Sequence, residues 1–374
     1  YKNVDIFFVY KGVICMVLLK GRDVTKKEFE RISQRIREND ISPEDYQKIS
    51  DFRAEHSKVI KSFIWSLRSF LKNKKNRNKK GAEDKRKKKN KKNKIHSKEN
   101  IIVSQRLKRL PSIIGKVKRF ENMSVGRMQD LAGARIILNN LNDVERMATY
   151  LRDNVYSKKG KNNFYFVREK NYIVSPKEDG YRSVHQIFKY QGKKEENLEG
   201  YVIELQIRTK LQHQWATAVE IIDSIKNQSL KIGGGDTHYK EFFKLSSKVI
   251  EFIELKKNMN DIVEEINEIK RLNEEYKILK MLSSLRVVTN HLEEIKSNGY
   301  LILILDHLNN KIRYIGVEEE NISKDYLMYE ETYKDENNNV VTVSVENLKT
   351  LKKAYPNYFL DAREFVATIN KIIL

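Results

Sequence analysis

Two acids, a set of cations and a tyrosine–histidine turn hold most of the reactive side chains in the middle of this chain. Asp130 stands just before the apolar run Ile136-Ile137-Leu138, and Glu204 lies within Tyr201-Val202-Ile203-Glu204-Leu205-Gln206-Ile207-Arg208-Thr209. In that second stretch apolar residues alternate with Glu204, Gln206 and Arg208, which is the pattern of a half-buried strand whose polar side chains leave one face together. A solvent-facing strand gives the same alternation, so the neighbouring motifs decide its meaning. Upstream, Pro176-Lys177-Glu178-Asp179-Gly180-Tyr181-Arg182-Ser183-Val184-His185 ends a turn in a cation, an aromatic ring, a hydroxyl and an imidazole. Residues 106–120 follow helical spacing, which predicts Lys108, Ser112, Lys116 and Arg119 on one face, accompanied by Arg106. Such a face suits a polyphosphate, whose charge and transferring group it would offset; a solvated helix face is the plain alternative. Acids across a sheet from it suit Mg²⁺ binding, or removal of a proton from an attacking hydroxyl.

The elements that must position these residues interleave over about 120 residues. Strands are predicted at 136–138, 164–174, 181–190 and 201–209, and helices at 142–154 and 210–225, giving an α/β or α+β domain around one mixed sheet. Ahead of it, residues 1–71 form an N-terminal helical region, in which Phe29, Ile32 and Ile36, then Tyr46 to Leu71, recur at steps of three and four. Ser42-Pro43 reads as a cap with proline at the first helical position. Behind the domain, which spans 99–230, Gly233-Gly234-Gly235 marks a break. A long amphipathic stripe follows within 236–295, from Leu245 to Leu279, and a small α+β module is expected over 300–374.

Charge is unevenly distributed. The formal net charge is +22 over 374 residues, which points to a polyanionic substrate or partner, but residues 72–98 hold fifteen Lys or Arg against two acids. That Lys/Asn-rich run cannot collapse into a core and is expected to be disordered, either as an RNA-gripping arm or as a solubilising insertion. The single cysteine, Cys15, excludes an internal disulfide framework and a cysteine-built zinc site, and fits a reducing cytoplasm. Val4 to Leu19 is interrupted by Asp5 and Lys11 and is too short to span a membrane, so no anchor is expected. The chain opens on Tyr1; Met16 is read as a candidate start, and no cleaved signal is expected.

Four motifs in order carry a resemblance. Arg106-x-Lys108-x-x-x-Ser112-Ile113-x-x-Lys116, Asp130-Leu-x-Gly133-x-Arg135, Pro176-Lys177-x-x-Gly180-Tyr181-Arg182-Ser183-x-His185, and Glu204-x-Gln206-Ile207-Arg208-Thr209 followed by His213-x-Trp215-Ala216 together resemble the synthetase domain of the RelA/SpoT family. The resemblance implies α+β architecture: a nucleotidyltransferase-like mixed β-sheet flanked by helices, with the long helical segment and the small C-terminal α+β module appended. It also implies transfer of the β,γ-pyrophosphate of ATP to a ribose 3′-hydroxyl. On that basis Arg106, Lys108, Ser112, Lys116 and Arg135 would hold ATP, Arg135 serving phosphate contacts or the sheet itself. Asp130 would bind Mg²⁺, with Glu204 as second ligand or general base. Tyr181 would stack on the acceptor base while Lys177, His185 and Gln206 position the acceptor. Arg182 and Arg208 fit either phosphate contacts or structure; His213 and Trp215 fit packing.

None of the seven histidines is followed by aspartate, so a short synthetase without the family's hydrolase half is expected. From Leu301 onward the order of elements resembles the C-terminal domain of fused toxin–antitoxin small alarmone synthetases. There Tyr355 and Tyr358, in Lys353-Ala354-Tyr355-Pro356-Asn357-Tyr358, would block the adenine pocket until a partner, such as a phage component, draws the module away; two ordinary core or rim tyrosines are the alternative. The acceptor is expected to be the tRNA 3′ end, with GDP or GTP as the other choice. Asp179-Gly180 departs from the family's Asn-Gly before the tyrosine, which bears on guanine positioning. A non-catalytic RNA binder would explain the charge but not two acids set within a cationic site.

Overall fold

The computed structural model describes residues 7–10, 13–16, 26–80, 101–157, 162–192, 198–225, 236–284, 300–306, 311–317, 321–333, 338–344, 356 and 361–374. A hairpin of β1 (Phe7–Tyr10) and β2 (Val13–Met16) precedes helices α1 (Lys26–Glu38) and α2 (Pro43–Lys80). Ser42 Oγ accepts the Asp45 N–H at 3.2 Å, so serine caps α2 and Pro43 opens it, as the sequence predicts. The helix runs on to Lys80, into the Lys/Asn-rich run expected to be disordered; residues 81–98 of that run lie outside the described residues, as does Gly233-Gly234-Gly235.

Next come β3 (Ile102–Leu107), α3 (Leu110–Arg119), β4 (Ala132–Leu138), α4 (Leu141–Tyr150), β5 (Phe164–Asn171), β6 (Val184–Tyr190), β7 (Val202–Thr209) and α5 (Lys210–Ile225). Here the structure corrects the helix predicted over 106–120. Arg106 belongs to β3, Lys108 to the turn after it, and only Ser112, Lys116 and Arg119 to α3. Pro111 supplies the reason: its locked φ and missing N–H suit the first turn of a helix and would break the interior of one begun at residue 106.

Strands β4 and β7 run parallel, from Gly133↔Glu204 to Leu138↔Thr209, while β3–β4, β6–β7 and β5–β6 are antiparallel, so the sheet is mixed. Its inner face, Ala132, Ala134, Ile136 and Leu138 with Val184, Phe188, Leu205 and Ile207, packs in one cluster with Phe63 and Leu67 of α2 and Val144 and Met147 of α4. This burial fixes the register, because a one-residue slip would turn the charged set of each strand into the core. Arg106, Arg135, His185, Glu204 and Gln206 are thereby held on the opposite face.

Beyond α5, the predicted amphipathic stripe forms α6 (Thr237–Leu255), α7 (Val263–Tyr276) and α8 (Ile278–Ser284). Lys256 (φ 54) and Lys277 (φ 52) adopt the left-handed conformation that ends α6 and α7, dividing the stripe. The last elements are β8 (Tyr300–Asp306), β9 (Lys311–Val317), α9 (Ile322–Thr332), β10 (Asn338–Ser344) and α10 (Arg363–Ile373).

These residues were expected to form a module of their own, but they extend the main sheet. Val343 and Ser344 of β10 pair with Arg106 and Gln105 of β3, giving eight strands in the order β5-β6-β7-β4-β3-β10-β8-β9. Without β10, β3 would be an edge with unpaired backbone groups, and pairing removes that edge. Phe365 and Ile369 of α10 likewise share a cluster with Trp215 of α5 and Phe242 and Phe243 of α6. No helix among the described residues is long and apolar enough to cross a membrane.

Candidate active site

Register places two rows of side chains across the sheet on the face away from α2. One reads Ser104–Arg135–Gln206–His185 over β3, β4, β7 and β6; the next reads Arg106–Gly133–Glu204–Ile187. Gly133 leaves the floor between Arg106 and Glu204 open, and a Cβ there would stand 3.7 Å from the Arg106 carbonyl oxygen.

Asp130, on the approach to β4, gathers the cations. Lys108 Nζ donates to its Oδ2 at 2.8 Å and Lys116 Nζ to its Oδ1 at 3.0 Å. Burial alone would raise the carboxyl, but the two ammonium groups outweigh it and hold Asp130 down at about 2. Burial pushes the Lys108 ammonium down as well, and the charges of Lys116 and Arg106 add to that while Asp130 opposes it. Lys108 and Lys116 therefore converge from a turn and a helix rather than from one helix face.

Glu204 sits in a different setting. Its Oε1 is 3.0 Å from His185 Nδ1, its Oε2 accepts from Gln206 Nε2 at 3.1 Å, and Arg135 Nε donates to Gln206 Oε1 at 3.4 Å. The other imidazole nitrogen, Nε2, lies 2.8 Å from the Tyr181 hydroxyl. Tyr181, His185, Glu204, Gln206 and Arg135 thus form one hydrogen-bonded chain. Burial would raise Glu204, but the hydrogen bond and charge of His185 hold it below the ordinary carboxylate range, with the Asp130 charge pushing the other way. His185 is raised against burial by Tyr181 and Glu204. Tyr181 is lowered against burial by the charges of His185 and Arg208.

The turn that presents Tyr181 is bolted to α6. Gly180 is at φ +91 and a Cβ there would meet Ser247 Cβ at 2.9 Å, which is why glycine stands at this turn. Ser247 Oγ donates to the Gly180 carbonyl. Arg182 donates to Ser247 Oγ at 3.1 Å, to the Ile173 carbonyl at 3.2 Å and to Glu251 at 2.6 Å. It is therefore a structural strut. Lys177 Nζ lies 5.1 Å from the ring centroids of both Tyr172 and Tyr181, and Tyr172 meets His185 edge-on at 5.1 Å.

The structure brings together Asp130 with Lys108 and Lys116, and Tyr181 and Lys177 with His185, Glu204, Gln206 and Arg135. Arg106 shares the site face by register. Ser112 lies one helical turn before Lys116 on α3, whereas Arg119 is exposed at its end. Arg208 is buried beside His213 Nδ1 at 2.6 Å, and Trp215 Nε1 donates to the Phe243 carbonyl at 2.8 Å, so both belong to the support behind the site. Tyr355 and Tyr358 lie outside the described residues.

Sequence reasoning missed Tyr172, Ser247, Glu251 and Arg53. Arg53 had left a signal: it stands on the inward stripe Ile49, Arg53, His56, Ile60 of α2, a guanidinium on a stripe that faces the core. No group of three or more His, Cys, Asp or Glu assembles among the described residues to hold a metal alone. Two carboxylates near enough for the charge of Asp130 to act on Glu204 fit a Mg²⁺ that brings further oxygens with it from nucleotide phosphates and water.

Residues 105–225, which contain all of these motifs from Arg106 to Trp215, match the family model described as a region found in RelA / SpoT proteins. That region belongs to the RelA/SpoT family. The GTP pyrophosphokinase YjbM of Bacillus subtilis (strain 168) is 31% identical over 117 residues, 31% of this chain and 52% of the relative. GTP pyrophosphokinase YwaC of the same organism is 29% identical over 117 residues, 30% of this chain and 52% of the relative. The chain thus spans about half the length of the curated relatives it matches. A crystal structure of small alarmone synthetase 1 from Bacillus subtilis, bound to its product pppGpp, is 26% identical, covers 43% of this chain and 76% of that chain, and superposes at a TM-score of 0.35.

Proposed function

We propose that this protein transfers the β,γ-pyrophosphate of ATP to a ribose 3′-hydroxyl. The observation that carries the reading is the pair of differently dressed carboxylates, Asp130 just ahead of β4 clasped by Lys108 and Lys116, and Glu204 on the neighbouring strand β7 joined to His185 and Gln206. Arg106, Lys108, Ser112 and Lys116 bind the ATP phosphates, and the lysines exchange Asp130 for phosphate oxygens as the nucleotide enters. Mg²⁺ held by Asp130 would supply charge neutralisation on the phosphate chain, with Glu204 left to act as the base.

Glu204 accepts the proton of the 3′-hydroxyl as the oxygen attacks the β-phosphorus; the bond from that phosphorus to the α-phosphate oxygen breaks and AMP leaves. His185 and Gln206 keep the carboxylate aimed and ionised for this step. Tyr181 and Lys177 seat the acceptor base, whose stacking on a tyrosine contributes about 1–3 kcal/mol.

The acceptor we propose is the 3′ end of tRNA, because the positive charge concentrated in residues 72–98 suits a long polyanion. GDP or GTP is the second reading, favoured by the relatives' names as GTP pyrophosphokinases. Tyr355 and Tyr358 are proposed to restrain the enzyme as a toxin held off by its own C-terminal residues, with a phage or other protein component as trigger. Incubation with γ-labelled ATP and either deacylated tRNA or GDP tests the whole: label in one acceptor names the substrate, and label in neither, with the parent and the Tyr355→Ala plus Tyr358→Ala chain alike, removes the enzyme reading. Tyr355→Ala plus Tyr358→Ala should raise that rate, and an unchanged rate would remove the restraint.

A further inference from the structure

Between α2 and α9 lies a buried polar cluster that the reaction above does not use. Arg53, 4% exposed, donates through Nε to the Lys108 carbonyl at 2.6 Å. The Lys108 N–H donates in turn to the Leu131 carbonyl at 2.8 Å, beside Asp130. Both backbone polar groups of Lys108 are therefore tied down, one to Leu131 beside Asp130 on the approach to β4 and one to α2.

Arg53 is itself held by α9. Its guanidinium carbon stands 3.8 Å from the centroid of the Tyr326 ring, which is 1% exposed, and the Tyr326 hydroxyl donates to Glu330 Oε1 at 2.7 Å. The Leu110 N–H, at the start of α3, reaches the Glu330 carboxylate, where it opposes the upward push of burial on that group alongside the charges of Arg53 and Arg109. An acid at a helix start interacts favourably with the exposed N–H groups there. Among the described residues Arg53 Nη2 and Glu330 Oε2 have no hydrogen-bond partner, so the cluster is not optimised for stability; apolar residues of similar volume would pack such a contact at lower cost.

We infer that Arg53, Tyr326 and Glu330 are positioning residues that hold the Lys108 turn and the start of α3 where Lys108 and Lys116 can meet ATP, so that C-terminal α9 completes the nucleotide site. β10 acts on the same segment from the other side, since Val343 pairs with Arg106. The inference rests on the proposed ATP reaction. It predicts a one-sided effect: the turn that presents Tyr181 on the acceptor side is anchored instead by α6, through Gly180 and Arg182.

The test uses the full chain freed of the proposed restraint by Tyr355→Ala plus Tyr358→Ala as its parent, and measures binding of a non-hydrolysable ATP analogue by calorimetry, together with KM for ATP and for the acceptor. Arg53→Met and Glu330→Gln are expected to weaken analogue binding roughly tenfold to hundredfold, the effect of losing a charge-assisted hydrogen bond, and to raise the ATP KM in step. The acceptor KM should stay unchanged. Tyr326→Phe keeps the ring under Arg53 and removes only the hydroxyl, so it tests the cluster if the other variants fold poorly; a smaller loss in the same direction is expected. Arg53→Lys should restore part of the binding lost in Arg53→Met. Trp65→Ala, on the same helix with Trp65 74% exposed, is the control and should bind as the parent does.

Analogue binding equal to the parent in folded Tyr326→Phe and Glu330→Gln would overturn the inference while leaving the proposed reaction standing. So would equal losses on the ATP and acceptor sides, which mark general destabilisation. A parent that binds no ATP analogue overturns both.

Discussion

Asp130 stands ahead of β4 and Glu204 lies in the neighbouring strand β7, yet the two acids are surrounded in different ways. Asp130 meets point charges on flexible stems, Lys108 Nζ at 2.8 Å and Lys116 Nζ at 3.0 Å. Glu204 meets a fixed relay, His185 at 3.0 Å and Gln206 at 3.1 Å, ending at the Tyr181 hydroxyl. Lysines can leave an acid for a phosphate without disturbing the fold, because the charge moves while the backbone stays. A relay built on adjacent strands cannot leave; it can only pass or hold a proton. Under the proposed reaction, the contrast gives electrostatics and nucleotide entry to the Asp130 side, and orientation and proton acceptance to the Glu204 side.

The sharpest way to break that division is to neutralise each acid in turn. Glu204→Gln should lower kcat by roughly 10²–10⁴ while ATP binding persists, since general-base removal acts on the chemical step. Asp130→Asn should lower kcat by roughly 10²–10³ and also change how ATP binding responds to Mg²⁺. Matching losses with no binding difference would erase the contrast.

A backbone change should affect only one side. Gly180→Ala forces a Cβ to 2.9 Å from Ser247 Cβ at φ +91, so it should cost about 1–3 kcal/mol of stability by chemical denaturation and raise the acceptor KM, leaving the ATP KM alone. Ser247→Ala, which removes the hydroxyl that holds the same turn, should do this more weakly, by about 1 kcal/mol.

Asp130 and His185, the partner of Glu204, also differ in pH response. His185 is raised in the folded chain by Tyr181 and Glu204, so the native state holds that proton more tightly than the unfolded chain does. The stability it contributes is full below the ordinary imidazole value of about 6.5 and is lost as pH rises through the raised one. Asp130, lowered to about 2, contributes stability that is full above the ordinary carboxylate range and lost as pH falls toward 2. Melting profiles should therefore show His185→Gln flattening the alkaline side and Asp130→Asn the acid side; exchanged or absent effects would contradict the assignment.

Strong alternation made the sheet readable in the sequence. Glu204, Gln206 and Arg208 announced their shared face, and the motif spacing gathered Tyr181 with His185. Local pattern failed where a single residue or a distant pairing decided the outcome. Pro111 moved the start of α3 past Lys108, and the left-handed Lys256 and Lys277 divided the long helical stripe. Pairing of β10 with β3 joins residues more than two hundred positions apart, which no local periodicity encodes. The support from α6 was hidden for the same reason, because Ser247 and Glu251 read as ordinary polar positions on an amphipathic helix.

The division of labour between the acids is tested most directly by single-turnover transfer from labelled ATP, with ATP binding measured in parallel at varied Mg²⁺, on the Tyr355→Ala plus Tyr358→Ala chain as parent and on the same chain with Asp130→Asn or Glu204→Gln. The account predicts transfer by the parent, loss of transfer in both variants, and an altered Mg²⁺ response of binding chiefly in Asp130→Asn. Undiminished transfer in Glu204→Gln would contradict it.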